Sequence, residues 1–198
     1  IQDQAGGAVL TTADSGATLG NSTQDNITRL GTVATGNLAN TAIVYPAGHV
    51  IQTTNTIYNS NDSSVTTSST SARVNRSGAL NWTGQITNVG ASNHVLVTMG
   101  FCFNIDKDSV TTIGAGFSIW REATEIMIAK QHTHYLGVPT NGNWNYYSRN
   151  TIQFMDESPT TGTNNYYLGY RSNSSTNVTV RASSTYEPFR CILQEIKR

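Results

Sequence analysis

Apolar and polar residues alternate most cleanly in His94-Val-Leu-Val-Thr-Met-Gly-Phe-Cys-Phe-Asn-Ile105. Val95, Val97, Met99, Phe101, Phe103 and Ile105 take every odd position, and the even positions between them are mixed. Successive side chains of a strand point to opposite faces, so the pattern predicts a central strand with one buried face. Shorter alternations surround it. A polar first strand runs from His49 to Tyr58; Leu80, Trp82, Gly84 and Ile86 share a parity in the next. Phe117 and Ile119 start a hairpin that turns at Glu122-Ala-Thr and returns through Ile126 and Ile128. Ile152 with Phe154, then Tyr166, Leu168 and Tyr170, then Val178, Val180 and Ala182, mark three more strands. The last, Phe189 to Ile196, is apolar on both parities, which predicts burial at the middle of a sheet or against a neighbouring subunit.

Turn residues separate these runs. Asn88–Asn93 leads into the central strand, and Asp156–Asn164 forms another turn region. Residues 59–71 read as an exposed loop or a weak edge strand, and residues 137–148 as a long loop rich in Asn and aromatics. Short strands spaced by turns, with no helical stripe, predict an all-β antiparallel sandwich or jelly roll over residues 44–198. Residues 1–43 differ. They hold no aromatic residue, and Ile27, Leu30, Val33 and Leu38 recur sparsely between Gly and Thr. So lean a segment cannot close a core alone, which predicts either a flexible linker or an extended shaft or anchor ordered by other subunits.

Composition narrows the function classes. Charged residues are only 12% of the chain and the net charge is zero, so there is no general basic field to collect nucleic acid. Ser, Thr, Asn and Gly fill the space, as in extracellular β-proteins and virion surfaces, and no apolar run approaches the roughly 20 residues of a membrane helix. The Asn-x-Ser/Thr sequons at Asn21, Asn26, Asn61, Asn75, Asn81, Asn173 and Asn177 are what chance gives in a chain of this composition. Cys102 and Cys191 read as two buried thiols or as a disulfide between neighbouring strands.

No catalytic set stands out, and no cofactor is implied. Asp156 and Glu157 are adjacent and near a turn, which suits solvated or backbone-bonding carboxylates better than a glycosidase pair. No Gly-x-Ser-x-Gly elbow occurs. His132 and His134 would share one strand face, so a threefold axis beside them could gather imidazoles around a divalent metal; otherwise they are surface or interface histidines. Trp144, Tyr146 and Tyr147 sit among small polar residues, a setting for sugar stacking, for docking on a protein, or for packing beneath their own loop. Tyr186 is a further candidate of that sort.

Four segments carry a family resemblance: Pro46-Ala-Gly-His, Ala91-Ser-Asn-His-Val-Leu-Val97, Asp156-Glu-Ser-Pro159 ahead of Tyr166-Tyr167, and Ile192-Leu-Gln-Glu-Ile196. In this order they resemble the C-terminal head domain of tail-fibre and other virion appendage proteins of marine bacteriophages. The chain departs from that pattern at Asn93-His94, where Lys is usual, and by one extra residue in the Asp156–Pro159 turn. Leu30-Gly-Thr-Val-Ala-Thr-Gly also looks like the shaft-proximal repeats of phage fibres. The resemblance implies a trimeric jelly roll, similar to the complement-type globular head and the tumour-necrosis-factor fold. It further implies a non-enzymatic virion protein that contacts other virion proteins through its N-terminal segment and a host surface glycan or protein through its head. A capsid decoration protein or head fibre, or a secreted lectin- or complement-like module, are the alternatives.

Overall fold

A computed structural model describes residues 10–13, 16–19, 45–58, 63–71, 73–74, 82–107, 112–128, 133–137, 144–173, 177–182 and 188–198. The chain divides into two units, Ile1–Val44 and Tyr45–Arg198. In the first, β1 (Leu10–Ala13) pairs antiparallel with β2 (Gly16–Leu19). The rest of the expected shaft or anchor lies outside the described residues. The second unit holds β3 (Val50–Tyr58), β4 (Ser63–Thr67), β5 (Arg73–Val74), β6 (Thr83–Val89), β7 (His94–Lys107) and β8 (Thr112–Arg121). It continues with β9 (Thr124–Met127), β10 (Thr133–Gly137), β11 (Trp144–Asp156), β12 (Gly162–Ser172), β13 (Asn177–Ala182) and β14 (Phe189–Ile196). All described pairings are antiparallel, and no helix occurs among the described residues.

β7 runs through the middle of the main sheet. Along one edge it pairs with β11 over its full length, Trp144 opposite Lys107 through to Asp156 opposite Val95. Its other edge is shared end to end: β14 takes His94 to Gly100 and β13 takes Cys102 to Asp106. β3 pairs beyond β14 and β4 beyond β13. The opposing sheet is built on β8 and β12. β9 and β10 share the outer edge of β8, and β5 and β6 share the outer edge of β12. The pairings are nested: β3 with β14, β6 with β12, β7 with β11, and β8 with β9 and β10.

The parity of the central strand holds. Val95, Val97, Met99, Phe101, Phe103 and Ile105 are all buried, and they meet Phe117, Ile113 and Ile119 of β8 across the sandwich. Phe117 fits between Phe101 and Phe103, its ring 4.7 Å from each. Offset, tilted rings at this distance add roughly 0.5–1.5 kcal/mol per pair beyond the area they bury. In the same core Trp82 stacks on Phe189 at 5.7 Å. The two sheets also approach at Gly84, where an added Cβ would overlap Cys191 Sγ. Only the absence of a side chain permits that contact.

Four departures from the sequence pattern have physical causes. The predicted loop 137–148 gives way to strand from Trp144, because β7 extends to Lys107 and offers a partner backbone to the Asn- and Tyr-rich segment. The return strand after Glu122 buries Met127 and leaves Ile128 exposed, the reverse of the Ile126/Ile128 parity, since the β8–β9 register slips between Ile119 and Trp120. β9 then ends at Met127 and β10 begins at Thr133, so no single strand carries Ile126 through His134 on one face. Finally, Cys191 is a free thiol on the core face, opposite Met99, whereas Cys102 is half-buried on the other face of the same sheet. Two thiols on opposite faces cannot meet, which removes the disulfide alternative.

Candidate functional site

Two buried polar nodes hold the turns of the sandwich. At the first, Asp156 ends β11 nearly inaccessible, and Arg121 Nη1 donates to its Oδ2 at 2.6 Å and its Oδ1 at 2.9 Å. Tyr166 Oη donates to Oδ2 at 2.8 Å, the Ser158 amide to Oδ1 at 3.2 Å, and Arg121 Nη1 also reaches the Ser158 carbonyl at 2.6 Å. Burial first, then the neighbouring Asp156 charge, lifts the Tyr166 phenol far above its usual range, so it remains a donor. Of the two settings expected for Asp156, solvated or backbone-bonding, the solvated one is corrected: the carboxylate does accept from a backbone amide, but it is buried and paired with Arg121, which β8 delivers beside it. At the second node, buried Glu195 of β14 accepts from the Gly90 amide at 2.8 Å and from Asn93 Nδ2 at 2.6 Å. That clamps the turn before β7 onto the last strand. Both carboxylates are buried and hold their turns, and at the second node Asn93 Oδ1 is buried with no hydrogen-bond partner among the described residues.

The aromatic candidates separate. Tyr147 is 54% exposed on the outer face of β11. Tyr146, one residue away, points the opposite way and packs on Phe103 with rings 6.1 Å apart. Counting back in twos from buried Ile152 gives that orientation for Tyr146, a signal lost once the segment is taken as a loop. Trp144 begins β11 with its backbone opposite Lys107, and His134 lies on β10 opposite Ala115. His132 and Tyr186 lie outside the described residues. Among the described residues no group of three or more His, Cys, Asp or Glu side chains is placed to hold a metal.

The outer face of the main sheet divides along the strands. Toward the start of β7 it carries half-buried Leu96, Met155, Ile192 and Ile196, with Leu96 directly opposite Met155. Val50 of β3, opposite Ile196, is exposed beside them, and Ile57 is exposed farther along, opposite Arg190. Toward the end of β7 the face turns polar and basic: Arg149 and Tyr147 on β11, Arg190 on β14, and Gly100 and Cys102 between. Beyond Cys102, Thr66 and Thr179 share a hydrogen bond of 2.8 Å and Asn104 Nδ2 donates to Asp106 at 2.6 Å. Sequence reasoning missed the arginines because they come from separate strands and only register brings them together.

No protein-family model matches the chain, and no curated protein matches it significantly.

Proposed function

We propose that the chain is the head of a virion appendage: a non-enzymatic, homotrimeric jelly roll that binds a host surface glycan or protein, with residues 1–43 serving as the shaft or anchor toward other virion proteins. The observation that carries the fold part is the nesting of the strand pairs. First pairs with last, second with second-last, and so inward to β8 with its hairpin partners. A long hairpin rolled into two sheets has this order, which supports the jelly-roll reading. The positions of the segments that carry the family resemblance support the reading. Pro46–Gly48 turns into β3, Gly90–Asn93 turns into β7, and Asp156–Pro159 connects β11 to β12. Support for self-association comes from the apolar half of the outer face, where Leu96, Met155, Ile192 and Ile196 line one side of a sheet whose other side already has its core.

Reconstruction of the virus particle that carries this protein tests the assignment. Threefold density matching the sandwich at a fibre tip is expected. The same density lying flat on the capsid shell would make it a decoration protein, and its absence from the particle would refute a virion role.

A further inference from the structure

We infer that the outer edge of β3 is a docking site for an extended, uncharged segment of a partner polypeptide, which adds a strand to the main sheet beside Gln52–Tyr58. β3 is the last strand of that sheet: among the described residues it pairs with β14 and with nothing beyond. From Gln52 opposite Glu195 to Tyr58 opposite Phe189 the pairing is regular, and the register slips only past Gln52, toward Val50. In a regular antiparallel ladder alternate residues turn both N–H and C=O toward the same neighbour, so about half of this stretch aims its backbone groups away from β14. Among the described residues no backbone bond outside the ladder takes them up. The side chains around them are open to solvent. Thr53, Asn55 and Ile57 are exposed, Ile57 at 46%, and so is Val50 beyond the slip, at 42%.

Edge strands are ordinarily guarded by charge, proline or brevity. β11, at the opposite edge of the sheet, carries Arg149; β9 and β5 of the opposing sheet carry Glu125 and Arg73; β4 and β10 are only five residues long. β6 is uncharged, but Thr54 Oγ1 of β3 donates to its Gln85 carbonyl at 3.1 Å and covers that acceptor. β3 runs for nine residues, Val-Ile-Gln-Thr-Thr-Asn-Thr-Ile-Tyr, with no charge, proline or glycine. These features set the chemistry of the occupant. A row of backbone donors and acceptors is matched by another backbone and not by a sugar. A charged side chain beside Thr53 or Asn55 would find no counter-charge on this strand, so the segment is neutral. Exposed Ile57 and Val50 favour aliphatic side chains on the same side of it. A second copy's β3 has the same chemistry, but pairing identical edges creates a twofold axis, and threefold heads linked that way would never close. The exclusion of a second copy thus rests on the trimeric reading above.

The test titrates the full chain with a capped peptide of about nine residues that alternates valine with threonine and asparagine, long enough to cover the edge. The peptide should bind in calorimetry, and amide hydrogen exchange across β3 should slow severalfold in the complex. With all its amides N-methylated the same peptide donates no backbone bond and should lose about tenfold or more in affinity. The double variant Asn55→Lys/Ile57→Lys, which puts charge on the edge, should weaken binding by about tenfold as well, and Glu157→Gln, in the turn after β11, should leave it unchanged. All three replaced side chains are exposed, and circular dichroism verifies that each variant is folded. No binding by the parent, equal binding of the methylated peptide, or equal binding by the double variant would each overturn the inference. So would heads that pair with one another, seen in light scattering as a doubled mass that the double variant abolishes, since the occupant would then be a second copy. Mass separates the two levels. A monomer that binds the peptide leaves this edge site standing and defeats the trimeric head. A trimer that ignores the peptide does the reverse.

Discussion

Replacing Asp156 with Ala should be among the most damaging single changes in the sandwich. The carboxylate is 5% exposed and Arg121 17% exposed, and three donors converge on it: Arg121, Tyr166 and the Ser158 amide. Breaking a buried ion pair by removing one partner costs about 3–5 kcal/mol, and the partial exposure of Arg121 puts this case at the low end. The Tyr166 hydroxyl, left buried and unpaired, contributes about 1–3 kcal/mol of that loss. We therefore expect a loss of about 3 kcal/mol for Asp156→Ala. Tyr166→Phe removes the hydroxyl but leaves Asp156 with Arg121 and Ser158, and should cost about 1 kcal/mol. In the double variant no orphan hydroxyl remains, so adding Tyr166→Phe to Asp156→Ala should cost nothing further. The energies must then fail to add by about 1 kcal/mol or more. Urea denaturation followed by tryptophan fluorescence measures all three variants. A loss under about 1 kcal/mol for Asp156→Ala, or strictly additive energies, would refute the buried node.

Three further outcomes follow from the same packing. Burial pushes the Cys191 thiol up from 9.0 to about 12. Its contribution is fully present below the unfolded value and is lost as pH rises from about 9 toward 12, with a slope of about 1.4 kcal/mol per unit; melting temperatures from pH 8 to 10 should fall for the parent and flatten for Cys191→Ala. Gly84→Ala should destabilise by about 1–3 kcal/mol because its Cβ overlaps Cys191 Sγ and lies 3.2 Å from Leu193 Cδ1, and Cys191→Ala in the same chain should recover part of the loss on denaturation. Ile192→Glu, on the half-buried outer face of β14, should leave the far-ultraviolet spectrum unchanged while splitting the assembly, as sedimentation would reveal.

Much of the sandwich was legible because one strand carries an unbroken code. The odd residues of β7 admit a single buried face, and the turns before and after the strands are marked by Gly, Asn and Pro. What escaped the sequence depends on contacts between distant segments. Asp156 beside a turn reads as solvated or backbone-bonding, and its burial shows only once Arg121, 35 residues earlier, is brought against it. Ile128 reads as core until a slip in the β8–β9 register hands that place to Met127. Tyr146 and Tyr147 look alike as neighbours in a polar segment, yet pairing with β7 turns one ring onto Phe103 and the other to solvent. The basic patch was the least legible, since nothing local connects Arg149 on β11 with Arg190 on β14; both are neighbours of β7 and of nothing else they share.

Assembly is the claim on which the appendage reading turns, and light scattering coupled to size exclusion measures it without any ligand. The full chain should elute as one species at three times its mass of 21.4 kDa. A single peak at 21.4 kDa, unchanged at high protein concentration, would contradict the trimeric head.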